Sequence, residues 1–417
     1  MRLRIKDFTT KVGSGVTPRG GAETYLEQGI PLFRSQNVLN NGFLMDDIAY
    51  ISEEVDESMS NTRVKAGDVL LNITGASIGR CYYTSDSFER GNVNQHVCII
   101  RPKKNIVMPA YLHYCMISDE GQEQIELTQT GANREGLAVE DIKGFSFDIP
   151  SLPDQRRIVD YLDAKTGAID RRMELLGKKQ DAYVRLKAAT INRVVTRGLD
   201  EHVKMKDSGV EWIGRIPEHW EVKRFKSIFT ECKAVSTTGQ EDLLSVSEYY
   251  GIARRVDKME EGEYESRAES LIGYKICQKN DLVINIMLAW KRGLGVSDYD
   301  GIVSPSYAVY RGNKNVVPHF FHYLMRTDKY VAEYKRNSKG IIDSRLRLYT
   351  DRFNNIMAIV PPLSEQQAIA SYLDERCAKI DAAIAVVDKQ VDALRRLKRA
   401  LINEVVTGRR TVPILDE

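Results

Sequence analysis

The chain contains two copies of one segment, and this repeat constrains its fold more than any other feature. With a constant offset of 211, residues 150–196 align with residues 361–407 without a gap, and 21 of the 47 aligned positions are identical. The identities include Gln155/Gln366 and Leu162/Leu373. A spacing of about 210 residues is far longer than the repeats of solenoid proteins, so each copy accompanies a whole domain.

Each copy of the segment predicts helix. Pro153 or Ser364 supplies a helix start, and Asp154 or Glu365 places an acidic side chain in the first turn. We expect a second, longer helix to follow in each copy. A helix from about residue 169 to residue 196 would span roughly 42 Å, which is comparable with one turn of DNA at about 34–36 Å.

The longer helix carries an apolar stripe that steps by four and three residues, the 3.5-residue period of a coiled-coil seam. The stripe positions are Ile169, Met173, Leu176, Gln180, Tyr183, Lys187, Thr190 and Val194 in the first copy, and Ile380, Ile384, Val387, Val391, Leu394, Lys398, Leu401 and Val405 in the second. The polar members, Gln180 and the paired Lys187/Lys398, either set the register or hold another protein's helix. A plain surface helix on a globular core is the alternative.

The two longer regions, 1–149 and 217–360, predict short strands with turns and occasional helices. The stretch GDVLLNITGASIGRC from Gly67 corresponds to NDLVINIMLAWKRGLGV from Asn280, and RIKDF from Arg4 corresponds to RFKSIF from Arg224. The two regions therefore predict diverged versions of one α+β domain. The predicted organisation is a first domain at 1–149, a helical region at 150–198, a polar linker at 199–216, a second domain at 217–360 and a second helical region at 361–417.

Composition limits the cellular setting and the partners. The 60 basic and 58 acidic residues give a net charge of +2, so a nucleic-acid partner requires the charges to be segregated by face. The six cysteines are dispersed with no close pair, which favours buried thiols in a reducing compartment over disulfides or a zinc site. The opening MRLRIKDFTT has no signal-peptide core, and no long apolar window occurs, so we expect a cytoplasmic protein.

Motifs for catalysis are missing from the sequence. There is no phosphate-binding loop, no dinucleotide-binding glycine pattern, no Asn/Asp-Pro-Pro-aromatic tetrapeptide and no His-Glu-x-x-His. The stretch PEHWEVK (Pro217–Lys223) has the acid and Glu-x-Lys of a nuclease, but these are too close together for the two strands of such a site.

Loops rich in hydrogen-bonding side chains recur in both domains. Arg, Asn and Gln can contact base edges in the major groove of DNA, and Ser, Thr and Lys can hold phosphates. For any single loop, ordinary turn chemistry is the alternative, and Trp290 could stack on a base or pack under its own loop. The candidates in the first domain are Thr17, Arg19, Arg34, Gln36, Asn37, Thr74, Ser77, Arg80, Asn94, Gln95, His96, Asn133 and Arg134. Those in the second are Lys233, Ser247, Tyr249, Arg254, Arg255, Trp290, Lys291, Arg292, Ser306, Tyr307, Lys339 and Arg345.

Over essentially its whole length the chain resembles the specificity subunits of type I restriction–modification systems. The matching stretches are GDVLLNITGASIGR, IPSLPDQRRIVDYLD with VPPLSEQQAIASYLD, the helix ends INRVVTRG and INEVVTGR, and IGRIPEHWEVKRF. One departure is that nothing like IGRIPEHW precedes the first domain.

The resemblance implies two target-recognition domains of α+β fold, related by an internal pseudo-twofold repeat and separated by an antiparallel coiled coil of the two long helices. Each domain would read one half of a bipartite, asymmetric DNA site, and the helices would set the gap. The chain would be non-catalytic and without a cofactor of its own.

The partners that the resemblance implies are double-stranded DNA, two modification subunits that bind S-adenosylmethionine and methylate adenine, and restriction subunits that translocate DNA. The repeated helices would dock the modification subunits through Gln155, Ile158, Tyr161, Leu162, Gln366, Ile369, Tyr372 and Leu373. The alternatives are a self-contained DNA nuclease or methyltransferase and a scaffold that binds only protein.

Overall fold

The computed structural model describes residues 1–129, 136–258, 270–342 and 345–413, which form two compact units. Unit 1 contains Met1–Gly177 together with the segment from Asp388 onward, and unit 2 contains Lys178–Val387. Unit 2 is therefore continuous in sequence, whereas unit 1 is assembled from two distant parts of the chain.

Unit 1 is a mixture of short strands and helices. Its strands are β1 (Arg2–Arg4), β2 (Thr9–Ser14), β3 (Ile30–Phe33), β4 (Val38–Leu39), β5 (Gly42–Phe43), β6 (Ala49–Ile51), β7 (Arg63–Val64), β8 (Val69–Asn72), β9 (Cys81–Tyr83), β10 (Gly91–Val93), β11 (Val97–Pro102) and β12 (Ser146–Asp148). Its helices are α1 (Ile5–Phe8), α2 (Glu53–Ser58), α3 (Pro109–Ile117), α4 (Asp119–Thr128), α5 (Val139–Gly144) and the first part of α6 (Leu152–Arg197).

Two four-stranded sheets organise unit 1. One has the order β2-β11-β8-β9 and is antiparallel throughout, and the other has the order β6-β3-β10-β7 with β3 and β10 parallel. Strand β1 pairs with β12, so the first and last strands of the domain meet.

Unit 2 is built in the same way. Its strands are β13 (Met205–Asp207), β14 (Arg215–Pro217), β15 (Glu221–Arg224), β16 (Phe229–Cys232), β17 (Leu244–Ser247), β18 (Gly251–Arg254), β19 (Lys275–Cys277), β20 (Leu282–Asn285), β21 (Leu294–Val296), β22 (Gly301–Val303), β23 (Tyr307–Gly312) and β24 (Met357–Val360). Its helices are α7 (Pro318–Met325), α8 (Asp328–Asn337), α9 (Thr350–Phe353) and the first part of α10 (Leu363–Val406).

One four-stranded sheet and one strand pair have the same topology in both units. The order β16-β23-β20-β21 in unit 2 repeats β2-β11-β8-β9, and the pairing of β15 with β24 repeats that of β1 with β12. Buried Asp68, just before β8, forms two hydrogen bonds of 2.7 Å with Arg101. Buried Asp281, just before β20, forms two of 2.8 Å with Arg311. The predicted correspondence between the two domains is confirmed.

The turn before these aspartates has the same backbone shape in both units. Gly67 has φ +85°, and Asn280 has φ +73°. This left-handed region is open to glycine and is tolerated by asparagine better than by most residues. Two different residues therefore meet one conformational requirement, which a comparison of identities alone would miss.

The two helices predicted in each repeat copy are one continuous helix. Helix α6 has 46 residues, or about 69 Å, and α10 has 44 residues. The segment between the predicted helices, AKTGA from Ala164, contains no proline, and Gly167 keeps a negative φ, so nothing interrupts the backbone ladder.

Each unit buries parts of both long helices in its core. The core of unit 1 includes Leu162 from α6 and Leu401 and Val405 from α10. The core of unit 2 includes Val194 from α6 and Leu373 from α10. Within each unit, therefore, the start of one helix and the end of the other belong to the same hydrophobic core.

The segment 199–216 differs from the polar linker that we expected. It contains strand β13 and the start of β14, which pair as an antiparallel hairpin. Ile213 and Ile216 are buried in the core of unit 2, which the low apolar content of the segment did not suggest. Among the described residues, no helix combines the length and the apolar character needed to cross a membrane.

Candidate nucleic-acid interface

Three of the loops predicted in the first domain meet at one depression of unit 1. Its volume is about 370 Å³, and its lining residues are Ser35, Gln36, Thr74, Gly75, Ala76, Ser77, Arg80 and His96. Strand β8 ends at Asn72 and the chain turns back into β9 through a short 3-10 helix, Gly75–Ser77. The turn therefore presents Thr74, Ser77 and Arg80 on the same side as the loops at Ser35-Gln36 and His96.

The side chains at this depression are polar and partly free. The Thr74 hydroxyl lies 2.6 Å from Nδ1 of His96, and the Gln95 amide lies 2.9 Å from Nε2 of the same ring. The exposed Arg80 guanidinium has no side-chain partner among the described residues. An unpaired guanidinium beside amide and imidazole groups provides donors and acceptors suited to base edges and phosphates.

Arg34 and Gln36 are engaged with one acidic residue. Arg34 donates to the backbone carbonyl of Asp47 at 2.6 Å, and Gln36 donates to the carboxylate of Asp47. Ligand binding would have to compete with these contacts. Gln36 is exposed at the depression, so it stays available to DNA more readily than Arg34, whose side chain is only 21% exposed.

Two predicted DNA-contacting asparagines have structural roles instead. Asn37 is fully buried, and its amide donates to the carbonyls of Leu44 and Asp47 at 3.0 Å each. Asn94 is also buried, and its side-chain oxygen accepts from the backbone N–H of His96 at 3.1 Å. The prediction that these asparagines contact DNA is corrected, because their polar atoms shape the loops from inside.

The remaining candidates of unit 1 lie in two places. Thr17 and Arg19 are exposed in the loop after β2, where the backbone of Gly15 approaches the carbonyls of Val93 and Asn94. That approach brings the loop beside the Asn94–His96 turn. Asn133 and Arg134 lie outside the described residues.

In unit 2 the loop after β20 corresponds to the loop after β8. Its Trp290 is half-buried and donates its indole N–H to the carbonyl of Met287 at 3.0 Å. The ammonium groups of Lys291 and Lys335 lie 5.1 Å and 5.3 Å from the centre of its ring. The indole thus packs under its own loop, which was one of the two alternatives, and the exposed Lys291 stays at the surface.

Two further arginines of unit 2 have partners inside the unit. Arg292 pairs with Asp328 and donates to the carbonyl of Arg326 at 3.1 Å, which fixes it to the start of α8. Arg254 lies 3.3 Å from Asp242 and 5.0 Å from the ring centre of Tyr299. Arg254 is exposed and its ion pair with Asp242 is weak in water, so it can exchange Asp242 for another partner. Arg292 would have to give up several contacts to do the same.

The other candidates of unit 2 do not converge on one described depression. Tyr249 is 84% exposed, and its backbone N–H donates to Ser247. The rest are at the surface or half-buried: Lys233, Arg255, Ser306, Tyr307, Lys339 and Arg345. Lys339 pairs through its backbone with Arg347, at the base of a loop whose Ile341 is 99% exposed.

The repeated glutamines hold each domain onto its own long helix. The side-chain oxygen of Gln155 accepts from the N–H of Met108 at 2.8 Å, and its amide donates to the carbonyls of Ile106 and Pro150 at 2.9 Å each. Gln366 makes the equivalent bonds to Val317, Asn315 and Pro361 at 2.9, 3.0 and 2.9 Å. Both side chains are fully buried. The repeat therefore has an explanation within the chain.

The remaining proposed docking residues are mostly internal as well. Leu162, Leu373 and Ile369 are buried in the cores of their own units, and Ile158 is half-buried against the core of unit 1. The prediction that Leu162, Leu373 and Ile369 dock a partner is corrected, because these side chains are buried in their own units. For Ile158, docking stays a prediction. Tyr161 is half-buried like Ile158, and Tyr372 is exposed.

A tyrosine–aspartate bond adds a second connection between each domain and its helix. The hydroxyl of Tyr114 on α3 donates to Asp163 at 2.6 Å, and that of Tyr323 on α7 donates to Asp374 at 2.8 Å. Burial raises the pKa of both hydroxyls, so they remain protonated donors. Beside Tyr114, the buried His113 has its pKa lowered to about 3, mainly by burial and further by nearby Lys398.

The polar seam residues form the same ion pair in each unit. In unit 1 the ammonium of Lys398 lies 2.7 Å from the carboxylate of Asp170, and in unit 2 that of Lys187 lies 2.6 Å from Asp381. The aspartates are equivalent in the repeat, and so are the lysines. Every predicted seam position is buried or half-buried, so the seam is confirmed, and its lysines set an antiparallel register.

A set of exposed apolar residues on the long helices was not predicted from the sequence. Leu175 and Leu397 in unit 1 are 59% and 53% exposed, and Leu186 and Val386 in unit 2 are 43% and 54% exposed. Each of these four residues directly precedes a seam residue. In an antiparallel helix pair, residues at such positions lie on the same side of the seam, so the two apolar residues of each unit share one flank of the helix pair. The constant offset of 211 between the repeat copies could have revealed them, since Leu175 aligns with Val386 and Leu186 with Leu397.

The stretch PEHWEVK contacts the first turn of α10. Trp220 is fully buried and donates its indole N–H to Glu365 in the first turn of α10 at 3.0 Å, and His219 contacts the same carboxylate. This stretch therefore has a structural role in unit 2. Among the described residues, no group of three or more His, Cys, Asp and Glu side chains is arranged to hold a metal ion.

Comparison with known proteins gives consistent results. Residues 2–176 match the model of the type I restriction modification DNA specificity domain. The type I restriction enzyme MjaVIII specificity subunit of Methanocaldococcus jannaschii is 24% identical over 98% of this chain and 92% of that protein. The StySPI specificity subunit of Salmonella potsdam is 20% identical over 98% of this chain and 88% of that protein.

Two solved structures share the fold. A chain from work on assembly and conformational transition of the type I R-M system has a TM-score of 0.72 at 14% identity, covering 98% of both chains. The HsdS subunit from Thermoanaerobacter tengcongensis has a TM-score of 0.52 at 14% identity, covering 98% of this chain and 97% of that one. The predicted fold class, two similar α+β domains with paired long helices, is confirmed.

Proposed function

Because the chain belongs to the specificity subunits of type I restriction–modification systems, we propose that each of its two units reads one half of a bipartite, asymmetric DNA sequence. The observation that supports this most directly is the depression of unit 1, where three separate polar loops come together. The equivalent loop after β20 supports a second reading surface in unit 2.

In unit 1 the reading would depend on Arg80, Gln36 and His96. A guanidinium can make two parallel hydrogen bonds to guanine, and an amide can do the same with adenine. Thr74 and Ser77 are placed to hold phosphates or to support the ring of His96. The half-site read by unit 1 would therefore be determined by the turn between β8 and β9 together with the loops that face it.

As a specificity subunit the chain is non-catalytic, and it acts within an assembly with other subunits of the system. We propose that it assembles with two modification subunits, that these bind S-adenosylmethionine and methylate adenine, and that restriction subunits with translocase activity join the complex. Since the substrate is DNA, we place this work in the cytoplasm. The alternatives, a self-contained nuclease or methyltransferase and a protein-only scaffold, are not favoured.

The exposed apolar pairs on the long helices are the proposed docking surfaces. Each unit has one pair, Leu175 with Leu397 in unit 1 and Leu186 with Val386 in unit 2. Large exposed apolar side chains on a helix flank are suited to a partner's amphipathic helix. Two equivalent surfaces would accommodate two copies of one partner, which agrees with the proposed pair of modification subunits.

The long helices would also fix the gap between the half-sites. Their register is set in each unit by a lysine–aspartate pair, so the pairing cannot slip without losing that contact. Inserting seven residues into each helix would preserve the seam and lengthen each by about 10.5 Å. The preferred gap should then change by about three base pairs at about 3.4 Å each.

The central test uses the chain alone and in complex with a modification subunit. The complex should select a bipartite sequence of fixed gap from a random DNA library and should methylate it, while the pure chain should show neither methyl transfer nor cleavage. Selection of one continuous sequence, or methyl transfer by the pure chain, would contradict the proposed function.

The docking surfaces are tested by the mass of the assembled complex. Leu186→Asp with Val386→Asp should leave a complex with one modification subunit, because a buried charge without a partner is costly. Val184→Asp is the control, since Val184 is 54% exposed but follows its seam residue and lies on the other flank. Two modification subunits on the double variant would rule out this surface.

A further inference from the structure

Unit 2 contains a basic depression at the end of α6 that no role described so far uses. Its volume is about 500 Å³, and three arginines and a lysine line it: Arg193, Arg197, Arg215 and Lys329. The polar side chains of Asn192 and Thr196 complete the same wall. No acidic residue lines this depression, so its local charge is strongly positive although the whole chain carries only +2.

The fold orients two of these cations, Lys329 and Arg215, through backbone carbonyls. Lys329 donates to the carbonyl of Ile213 at 2.9 Å, and Arg215 donates to the carbonyl of Met205 at 2.9 Å. Carbonyl partners orient a cation while leaving its charge and its remaining N–H groups available. The arginines of α6 therefore face two further cations whose positions are fixed by the β13–β14 hairpin.

The acidic residues nearby do not balance this charge. Asp200 and Glu201 line an adjoining depression of about 310 Å³, which the same three arginines also line, so the two acids face three cations there and a fourth, Lys329, lies beyond them. Glu201 lies 3.4 Å from Arg193, and its side chain is 74% exposed. An exposed ion pair of this kind contributes little to stability, so an anion that binds Arg193 more strongly can displace Glu201.

The electrostatics of the helix end do not explain the arginines. Basic side chains near a helix C-terminus can simply complement the helix dipole. The end of α10 is the repeat equivalent of the end of α6, yet Glu404 aligns with Arg193, and Gly408, just after α10, aligns with Arg197 in the last turn of α6. The last turn of α10 has no basic residue. The cluster is therefore specific to unit 2 and is not required by the fold.

We propose that this depression binds the phosphate backbone of DNA next to the half-site that unit 2 reads. The inference depends on the proposed function, since it assumes that the assembled complex binds DNA. The depression is lined by arginine, lysine, asparagine and threonine, and these side chains commonly contact phosphate and sugar oxygens. Guanidinium groups are suited to bidentate contact with phosphate.

An acidic segment of a partner protein is the alternative ligand, and the lining argues against it. Protein interfaces are centred on buried aromatic or other large anchors. The one large apolar residue of this depression, Ile213, is 3% exposed and belongs to the core of unit 2. The depression thus offers charge and hydrogen bonds without an apolar anchor.

The test measures the salt dependence of DNA binding by the assembled complex. The variant is Arg193→Gln with Arg197→Gln, and the control is Lys226→Gln with Lys314→Gln, two exposed lysines of unit 2 outside the depression. Each phosphate contact contributes about 0.9 to the slope of log affinity against log salt. The magnitude of this slope should be smaller by about 1–2 in the variant complex than in the unmodified complex. The control complex should keep the slope of the unmodified complex.

Ethylation of single phosphates locates the contact. In the unmodified complex, ethylation of one or two phosphates beside the second half-site should weaken binding, and in the variant this interference should disappear. The recognised sequence should be the same in both. Arg193→Lys with Arg197→Lys should retain most of the slope, because the charge remains.

Several results would overturn the proposal. An unchanged slope and interference pattern would show that no phosphate binds there, and failure of the variant to assemble with modification subunits would identify a protein ligand. If the double variant unfolds at a lower temperature, Arg197→Gln alone, at an exposed side chain, should still lose about 0.9 in slope. Failure of the proposed function is distinct, since the unmodified complex would then select no bipartite sequence.

Discussion

Replacing Gln366 with methionine should destabilise unit 2, and the cost can be derived from its three hydrogen bonds. Methionine has a similar length and fills the same space, but it cannot accept from Val317 or donate to Asn315 and Pro361. A buried backbone group left without a partner costs about 1–3 kcal/mol. Asn315 is exposed and its carbonyl can be hydrated, so two groups dominate. We expect a loss of about 2–6 kcal/mol in the free energy of unfolding.

The neighbouring glutamine provides a matched control. Gln367 is exposed, and its one described contact is a 3.4 Å hydrogen bond to Ser371, so Gln367→Met should change the free energy of unfolding by less than about 0.5 kcal/mol. All three tryptophans, Trp212, Trp220 and Trp290, lie in unit 2, so tryptophan fluorescence during urea unfolding reports on this unit.

Hydrogen exchange gives a second and more local measurement. The amide of Val317, which donates to Gln366, should exchange much faster in Gln366→Met than in Gln367→Met. Equal unfolding midpoints for the two variants, with Val317 still protected, would refute the internal role of Gln366. A Gln366→Met protein of normal stability that fails to bind a modification subunit would instead restore the glutamine to the docking surface.

Three further predictions concern acid stability, recognition and register. The pKa of His113 is lowered to about 3, so between about pH 6.5 and 3 the unfolded chain binds a proton that the folded chain does not, and stability falls as pH falls. When the pH is lowered from 7.5 to 5.5, the free energy of unfolding measured with urea should fall by about 1.4 kcal/mol less in His113→Leu than in the unmodified chain. Equal falls in the two proteins would contradict this. Arg80→Ala should relax selectivity at one half-site by about 1–3 kcal/mol, while Asn37→Ala should lower stability and leave selectivity unchanged, as library selection would show; the reverse pattern would contradict these placements. Lys398→Glu should cost about 1–2 kcal/mol and adding Asp170→Lys should restore most of it, whereas additive losses in the double-mutant cycle would show that the pair does not interact.

The repeat and the seam could be predicted because they are periodic in the sequence. An offset of 211 and steps of four and three residues need no tertiary information, and the structure has helices at both places. The role of Gln155 could not be predicted, because its partners include Met108 and Ile106, which are 47 and 49 residues away and act through backbone atoms. Backbone partners leave no trace in side-chain identity.

The candidate site was predictable at the level of loops and not at the level of residues. The loops around Gln36, Thr74 and His96 do meet at one depression. Within them, the sequence could not distinguish Asn37, which points inward, from Gln36, which remains exposed, because adjacent amides have the same chemistry until the backbone turns. The exposed Arg80 and the engaged Arg34 illustrate the same limit.

The division of the chain between the units also determines the order in which the protein can fold during its synthesis. The core of unit 1 needs Leu401, Ile402, Val405, Val406 and Val412, which are translated more than 200 residues after the rest of that core, whereas unit 2 ends at Val387. At about 5–20 residues per second, the ribosome takes roughly 10–45 s to travel from residue 198 to the end of the chain. During that interval the nascent first domain exposes the apolar surface that α10 later covers. The domain translated second can therefore complete its core before the domain translated first, and chaperone binding to stalled nascent chains should be concentrated on the N-terminal domain.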